Sequence, residues 1–194
     1  MMKGIYSFTL LFSLFATFIS HAAEPQTTPP SPVKVENRLI DLSENQPLMK
    51  IARYSSESYS YRATNLTVDP ILAELLRLRV SQINHCVYCL YTHQDVVRTM
   101  KIPQAKVDTL SAWWANDLFT DAEKAALEYT ESLTKQHKNS IAKNFNQVHQ
   151  QLTKYYTEKQ IIDIAGIVIN MNIWTRLKMA EGATLKNDSL PKSN

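Results

Sequence analysis

Apolar side chains recur every three to four positions along most of this chain, and helix-capping residues rather than strand turns separate the runs. From Pro70 to Ile83 the stripe Ile71, Leu72, Leu75, Leu76, Leu78, Ile83 predicts a helix. Asp69 is placed to cap it, and Pro70 takes the first turn, where a missing N–H costs nothing. Asn84-His85 breaks the pattern, and a second helix is expected over about 86–100. Pro103 opens a shorter one through Leu110. Thr120 and Glu123 form a capping box ahead of a helix that buries Ala126, Leu127, Tyr129, Thr130 and Leu133 on one side. Thr157 and Gln160 repeat the device before a helix over 161–180, apolar on most of its surface, with Gly182 as its stop. Asp163, Asn170 and Asn172 interrupt that apolar surface, which argues for burial in a core or subunit interface rather than a membrane span. Period-two alternation is scarce, so the expected fold class is all-α.

The ends read differently. Lys3, an apolar run over 5–19 and the small-x-small sequence Ser20-His21-Ala22 make residues 1–22 a secretory signal peptide. The run is shorter than the roughly 20 apolar residues of a spanning helix. Ser7, Thr9, Ser13 and Thr17 also interrupt it, so cleavage is preferred to anchoring. Residues 23–38, with Pro25, Pro29, Pro30 and Pro32, read as a proline-rich linker, 39–182 as one helical domain, and 183–194 as a polar tail. The expected address is exported, in the periplasm, where a cysteine pair can form a disulfide.

Composition removes several function classes. The 21 Lys and Arg are interleaved with 18 Asp and Glu, which points to neither nucleic acid nor, after cleavage, a membrane surface. Only three glycines occur, too few for a phosphate-cradling loop or a dinucleotide fingerprint. No bound cofactor and no resident metal are expected.

The chemistry concentrates in one segment. Cys86 and Cys89 are the only cysteines, and a Cys-x-x-Cys pair can cycle between dithiol and disulfide. On a helix, Cys86, Cys89 and His93 fall within an arc of about 60°. Cys89 and His93, four apart, are neighbours that can exchange a proton. A thiolate at the helix start would gain from the unpaired amides there, which favours Cys86 as the more acidic thiol; His93 beside Cys89 argues the other way. Glu74 sits on the preceding helix, and only the turn at Asn84-His85 can return it to the thiols. A structural disulfide is a weaker reading, because a bridge spanning three residues constrains little chain. A metal site built from Cys86, Cys89 and His93, with His85 or Glu74 as fourth ligand, is the other alternative. Tyr88 and Tyr91 flank the thiols and are candidates for pocket walls or core. Trp113, Trp114 and Trp174 read as core or interface anchors, and His137 and His149 as solvent-facing.

The pattern Glu74-x11-Cys86-x2-Cys89-x3-His93 resembles the core signature of the alkyl hydroperoxidase D-like (AhpD-like) branch of the carboxymuconolactone decarboxylase family. The words Leu78-Arg79-Val80-Ser81-Gln82-Ile83-Asn84 and Met171-Asn172-Ile173-Trp174-Thr175-Arg176-Leu177, and the segment 117–133, are also similar, so the resemblance covers about 40–180. It implies a helical homo-oligomer, a trimer or hexamer, acting as a thiol-dependent peroxidase on hydrogen peroxide or alkyl hydroperoxides. In that reading Cys89 attacks the peroxide, Cys86 resolves the sulfenic acid, and His93 and Glu74 relay protons. An external dithiol of unknown identity would restore the pair. The family's lactone decarboxylases lack the two cysteines. His85 stands where family members often have glycine, and it would narrow the pocket, add a base or donate to a metal. The better-known members are cytosolic, whereas this chain carries an export leader. A thiol–disulfide oxidoreductase acting on proteins and a non-enzymatic metal-binding protein remain the alternatives.

Overall fold

The computed structural model describes residues 33–135 and 145–187, all within one contact unit, Ser31–Asn194. The leader, most of the linker, His137 and the last seven residues lie outside the described residues. In chain order the elements are β1 (Val33–Asn37), α1 (Gln46–Tyr59), α2 (Pro70–Ile83), α3 (Val87–Thr99) and α4 (Gln104–Asp108). A 3₁₀ segment (Leu110–Ala115), α5 (Asp121–Thr134), α6 (Phe145–Leu152), α7 (Glu158–Ala180) and β2 (Ala183–Asn187) follow.

The expected caps are present. The Asp69 carboxylate accepts the amides of Ile71 and Leu72, and both capping boxes, Thr120 with Glu123 and Thr157 with Gln160, are closed. α2 is the axis of the fold, packed against α3, α5 and α7. Every residue from Leu72 to Ser81 is buried, so this helix is enclosed on all sides. Leu75, Leu76 and Leu78 meet Leu110, Leu127, Ile164 and Ile167 in the main core. For α7 the sequence predicts burial in a core or at a subunit interface. That helix buries Ile161, Ile164, Ile167 and Val168 but leaves Ile162 and Ile169 exposed. Among the described residues no helix is long and apolar enough to cross a membrane.

The all-α expectation needs one correction. β1 and β2 form an antiparallel ribbon with Val33 opposite Asn187 and Asn37 opposite Ala183. The ribbon therefore brings residues 33–37 of the segment read as linker and 183–187 of the segment read as tail into the described fold. The ribbon can close because Gly182 turns the chain back with φ +64, and Leu39 N–H donates to Glu181 O at 3.1 Å.

α1 lies along α7. Asn170 Nδ2 donates to Ser55 Oγ (2.7 Å) and Ser56 Oγ (3.1 Å), and Trp174 Nε1 donates to Ser56 Oγ (2.7 Å). Gly166 permits this approach, since a Cβ there would overlap the Tyr59 ring. Leu48 and Ile51 of α1 and Ile169 of α7, all exposed, line an apolar groove together with Ile173 and Leu177. Trp113 is buried and Trp114 exposed, while His149 is exposed as expected.

Candidate active site

The turn between α2 and α3 sets the geometry. Asn84 ends α2, and its side-chain amide donates to Asn172 Oδ1 and Thr175 Oγ1 on α7, each at 2.9 Å. His85 adopts φ +53, and Cys86 N–H then donates to Ser81 O at 3.2 Å, which starts the next helix. The left-handed conformation is the physical reason a glycine suits this position. The His85 side chain points to solvent and lines neither the cavity described below nor a metal-holding cluster.

Cys86 is the N-cap of α3, and its Sγ accepts the amide of Cys89 at 3.3 Å. The two cysteines are joined by a disulfide, with their Cα atoms 5.2 Å apart. Their exposures are 2 % and 4 %, and with Val80, Val168 and Met171 they form a small apolar cluster beside the main core. One turn after Cys89 lies His93, 5 % exposed.

Glu74 reaches this group as the return of the chain at Asn84-His85 requires. Its Oε1 is 2.5 Å from His93 Nδ1 and its Oε2 is 3.2 Å from Arg77 Nη1. Arg77 also donates to Tyr59 O (3.0 Å) and Ser60 O (2.9 Å), the last carbonyls of α1. Burial pulls the Arg77 guanidinium below its ordinary value, with Glu74 working in the opposite sense. Glu74 itself is fully buried, so a charged carboxylate here depends on its two partners. Glu74 holds Nδ1 of the imidazole, so Nε2 is the nitrogen left for chemistry.

Cys89 and His93 open into one cavity of about 340 Å³, walled by the end of α1 and the loop after it, the start of α3, and the second half of α7. Tyr88 lines it, as do Tyr61 and Trp174; Cys86 and His85 do not. Among the described residues no three His, Cys, Asp or Glu side chains are arranged to hold a metal ion. Arg77, Asn84, Tyr61 and Arg62 were not singled out from the sequence. A guanidinium three residues after Glu74 on an otherwise apolar stripe was the available signal for Arg77. The contribution of Tyr61 and Arg62, from a loop, had none.

A second polar knot stands behind the site. Arg79 Nε (2.8 Å) and Trp113 Nε1 (2.9 Å) both donate to Glu131 Oε1, tying α2, the 3₁₀ segment and α5 together. Burial alone would raise the Glu131 carboxyl, but the Trp113 hydrogen bond and the Arg79 charge bring it below its ordinary value.

Comparison with known proteins follows the same lines. Residues 58–132, which span Glu74, both cysteines and His93, match the carboxymuconolactone decarboxylase family. The uncharacterized protein YdfG of Bacillus subtilis (strain 168) is 29 % identical over 135 residues, covering 70 % of this chain and 84 % of the relative. A solved structure from Agrobacterium tumefaciens, of unknown function and with a name that proposes an AhpD antioxidant-defence role, superposes with a TM-score of 0.59 at 19 % identity. The match covers 79 % of this chain and 94 % of that one. An uncharacterized peroxidase-related protein from Ralstonia eutropha JMP134, described as an alkylhydroperoxidase AhpD core, gives 0.57 at 17 % identity, covering 76 % and 74 %. These similarities are of fold.

Proposed function

We propose that this chain, whose residues 58–132 match the carboxymuconolactone decarboxylase family and whose fold is similar to an AhpD-like structure, is a thiol-dependent peroxidase. One observation carries the reading: Cys89 and His93 face the same cavity while the far side of the imidazole is held by buried Glu74.

In the reduced protein, His93 takes the Cys89 proton, and the thiolate attacks the outer oxygen of the hydroperoxide. The O–O bond breaks, the alkoxide or hydroxide leaves with the proton returned through His93, and Cys89 becomes a sulfenic acid. The Cys86 thiol displaces water from that sulfenic acid and forms the disulfide. An external dithiol reduces the pair by exchange and leaves as its own disulfide. Cys89 is assigned the attack because it borders the cavity and Cys86 does not. Deep burial of both sulfurs also favours a small hydroperoxide over a protein disulfide as the oxidant.

The protein acts outside the cytoplasm, with residues 1–22 removed on export, and as a homo-oligomer, a trimer or hexamer. The apolar groove beside α7 supports self-association, because exposed aliphatic side chains gain from cover. The reductant must therefore be a dithiol kept reduced in that compartment.

Stopped-flow mixing of dithiol-reduced protein with hydrogen peroxide and tert-butyl hydroperoxide tests the activity. Fast consumption is expected, lost in Cys89→Ser, with sulfenate trapped on Cys89 in Cys86→Ser. Sulfenate confined to Cys86 would reverse the two roles. Reaction no faster than that of free cysteine, alongside ready exchange with a protein disulfide, would replace the peroxidase by a thiol–disulfide oxidoreductase. Fractionation and the mass of the mature amino terminus test export.

A further inference from the structure

The cavity beside Cys89 carries a charge pattern that peroxide reduction does not itself require. Arg62, Arg77 and Lys178 line it, and no carboxylate does. Two of these cations are neutralised from behind the wall: Arg77 by Glu74, and Lys178 by Glu181, whose Oε2 lies 2.6 Å from Nζ. Arg62 has no carboxylate partner among the described residues. Its guanidinium lies 5.2 Å from the centre of the Tyr61 ring, and Tyr61 meets the His93 ring edge-on at 6.0 Å. Arg62 is exposed and Cys89 buried, which puts the cation toward solvent and the sulfur toward the interior, and Tyr88, Met171 and Trp174 add largely apolar wall to the same cavity.

We infer that the site selects hydroperoxides that also carry a carboxylate, with the peroxide directed to Cys89 and the carboxylate to Arg62. The inference rests on the peroxidase reading and narrows its substrate class. An arginine without a counter-ion presents a planar fork that matches a carboxylate, whereas a neutral alkyl hydroperoxide gains nothing from it. The compensated Arg77 and Lys178 offer no equivalent site, so one acidic group is accommodated. An aliphatic chain between the two polar ends suits the wall, and about 340 Å³ is at the small end of ligand pockets, which favours a short or medium chain.

The test compares 6-hydroperoxyhexanoic acid with its methyl ester, using the full chain kept reduced by excess dithiothreitol at pH 7, with tert-butyl hydroperoxide as a third substrate. The expected kcat/KM for the acid exceeds that for the ester by about fivefold at low ionic strength. The ratio falls toward one as salt is added. Arg62→Gln should bring the ratio to about one at any salt concentration, and Arg62→Lys should retain part of the preference. A ratio of one in the parent protein, or a preference that survives Arg62→Gln, overturns carboxylate selection and leaves the peroxidase reading intact. Failure of all three hydroperoxides to react overturns the peroxidase reading and this inference with it.

Discussion

Replacing Glu74 by glutamine keeps the side chain's shape and removes one charge from the most enclosed part of the site. Oε2 of Glu74 lies 3.2 Å from Arg77 and Oε1 lies 2.5 Å from His93, both out of contact with water. At 3.2 Å two unit charges attract by about 5 kcal/mol at an effective dielectric near 20. Removing one member of a buried pair generally costs about 3–5 kcal/mol, because the other is left uncompensated. Glutamine can still hydrogen-bond to both partners, so we expect a loss near the lower end, about 3 kcal/mol. For a domain of this size the melting temperature should fall by roughly 6–12 °C. Arg77 keeps its bonds to the Tyr59 and Ser60 carbonyls, so the variant should still fold. Peroxide reactivity is a separate readout, and loss of a positioned proton relay should slow it by about 10²–10⁴-fold. Thermal unfolding and stopped-flow peroxide consumption measure the two effects on the same preparation. Adding Arg77→Met to Glu74→Gln should recover part of the stability and none of the rate. An unchanged melting temperature would refute the paired-charge account. A destabilised Glu74→Gln that still reacts at the parental rate would sink the relay.

Three further outcomes are expected. His85→Gly should raise stability in urea by up to about 1 kcal/mol: relief of a non-glycine residue at φ +53 exceeds glycine's added freedom when unfolded, whereas His85→Val should lower it. Equal stability of all three proteins would show the turn to be unstrained. Glu131 has a lowered carboxyl value, so its contribution to stability is complete above the ordinary value of 4.5 and is lost as pH falls below it through the folded value. The acid limb of unfolding should therefore be shallower in Glu131→Gln, and a superimposable limb counts against the network with Arg79 and Trp113. Asn84→Ala leaves Asn172 and Thr175 without their donor and should cost about 1–2 kcal/mol in chemical denaturation; a neutral result would mean that the turn is not locked to α7.

Local signals exposed the scaffold of the site. The Asp69-Pro70 start, the break at Asn84-His85 and both capping boxes are short-range patterns, and each found its place. The encounter of Glu74 with His93 followed once those two helices had to fold back on each other. What escaped depends on partners distant in the chain. α1 is not among the helices expected from the sequence; its seat on α7 uses Ser55 and Ser56, whose oxygens are needed by Asn170 and Trp174 more than 110 residues later. β1 does alternate, as Val-Lys-Val-Glu, but it has no neighbour in sequence to pair with; its partner comes from the opposite end of the domain. The enclosure of α2 depends on how the helices are layered, and hydropathy along one helix does not report that.

Gly166 carries an implication for how this domain tolerates change. It touches neither sulfur, nor imidazole, nor carboxylate, yet it sets how closely α1 lies on α7. The carbonyls that receive Arg77 belong to Tyr59 and Ser60, at the end of that same helix. A single methyl group at position 166 would push against the ring of Tyr59 and lift those acceptors from the guanidinium that steadies Glu74. In a saturation screen scored for peroxide resistance, this position should therefore group with the redox residues rather than with the surrounding core. Tolerance should also return when Tyr59 is made smaller in the same gene.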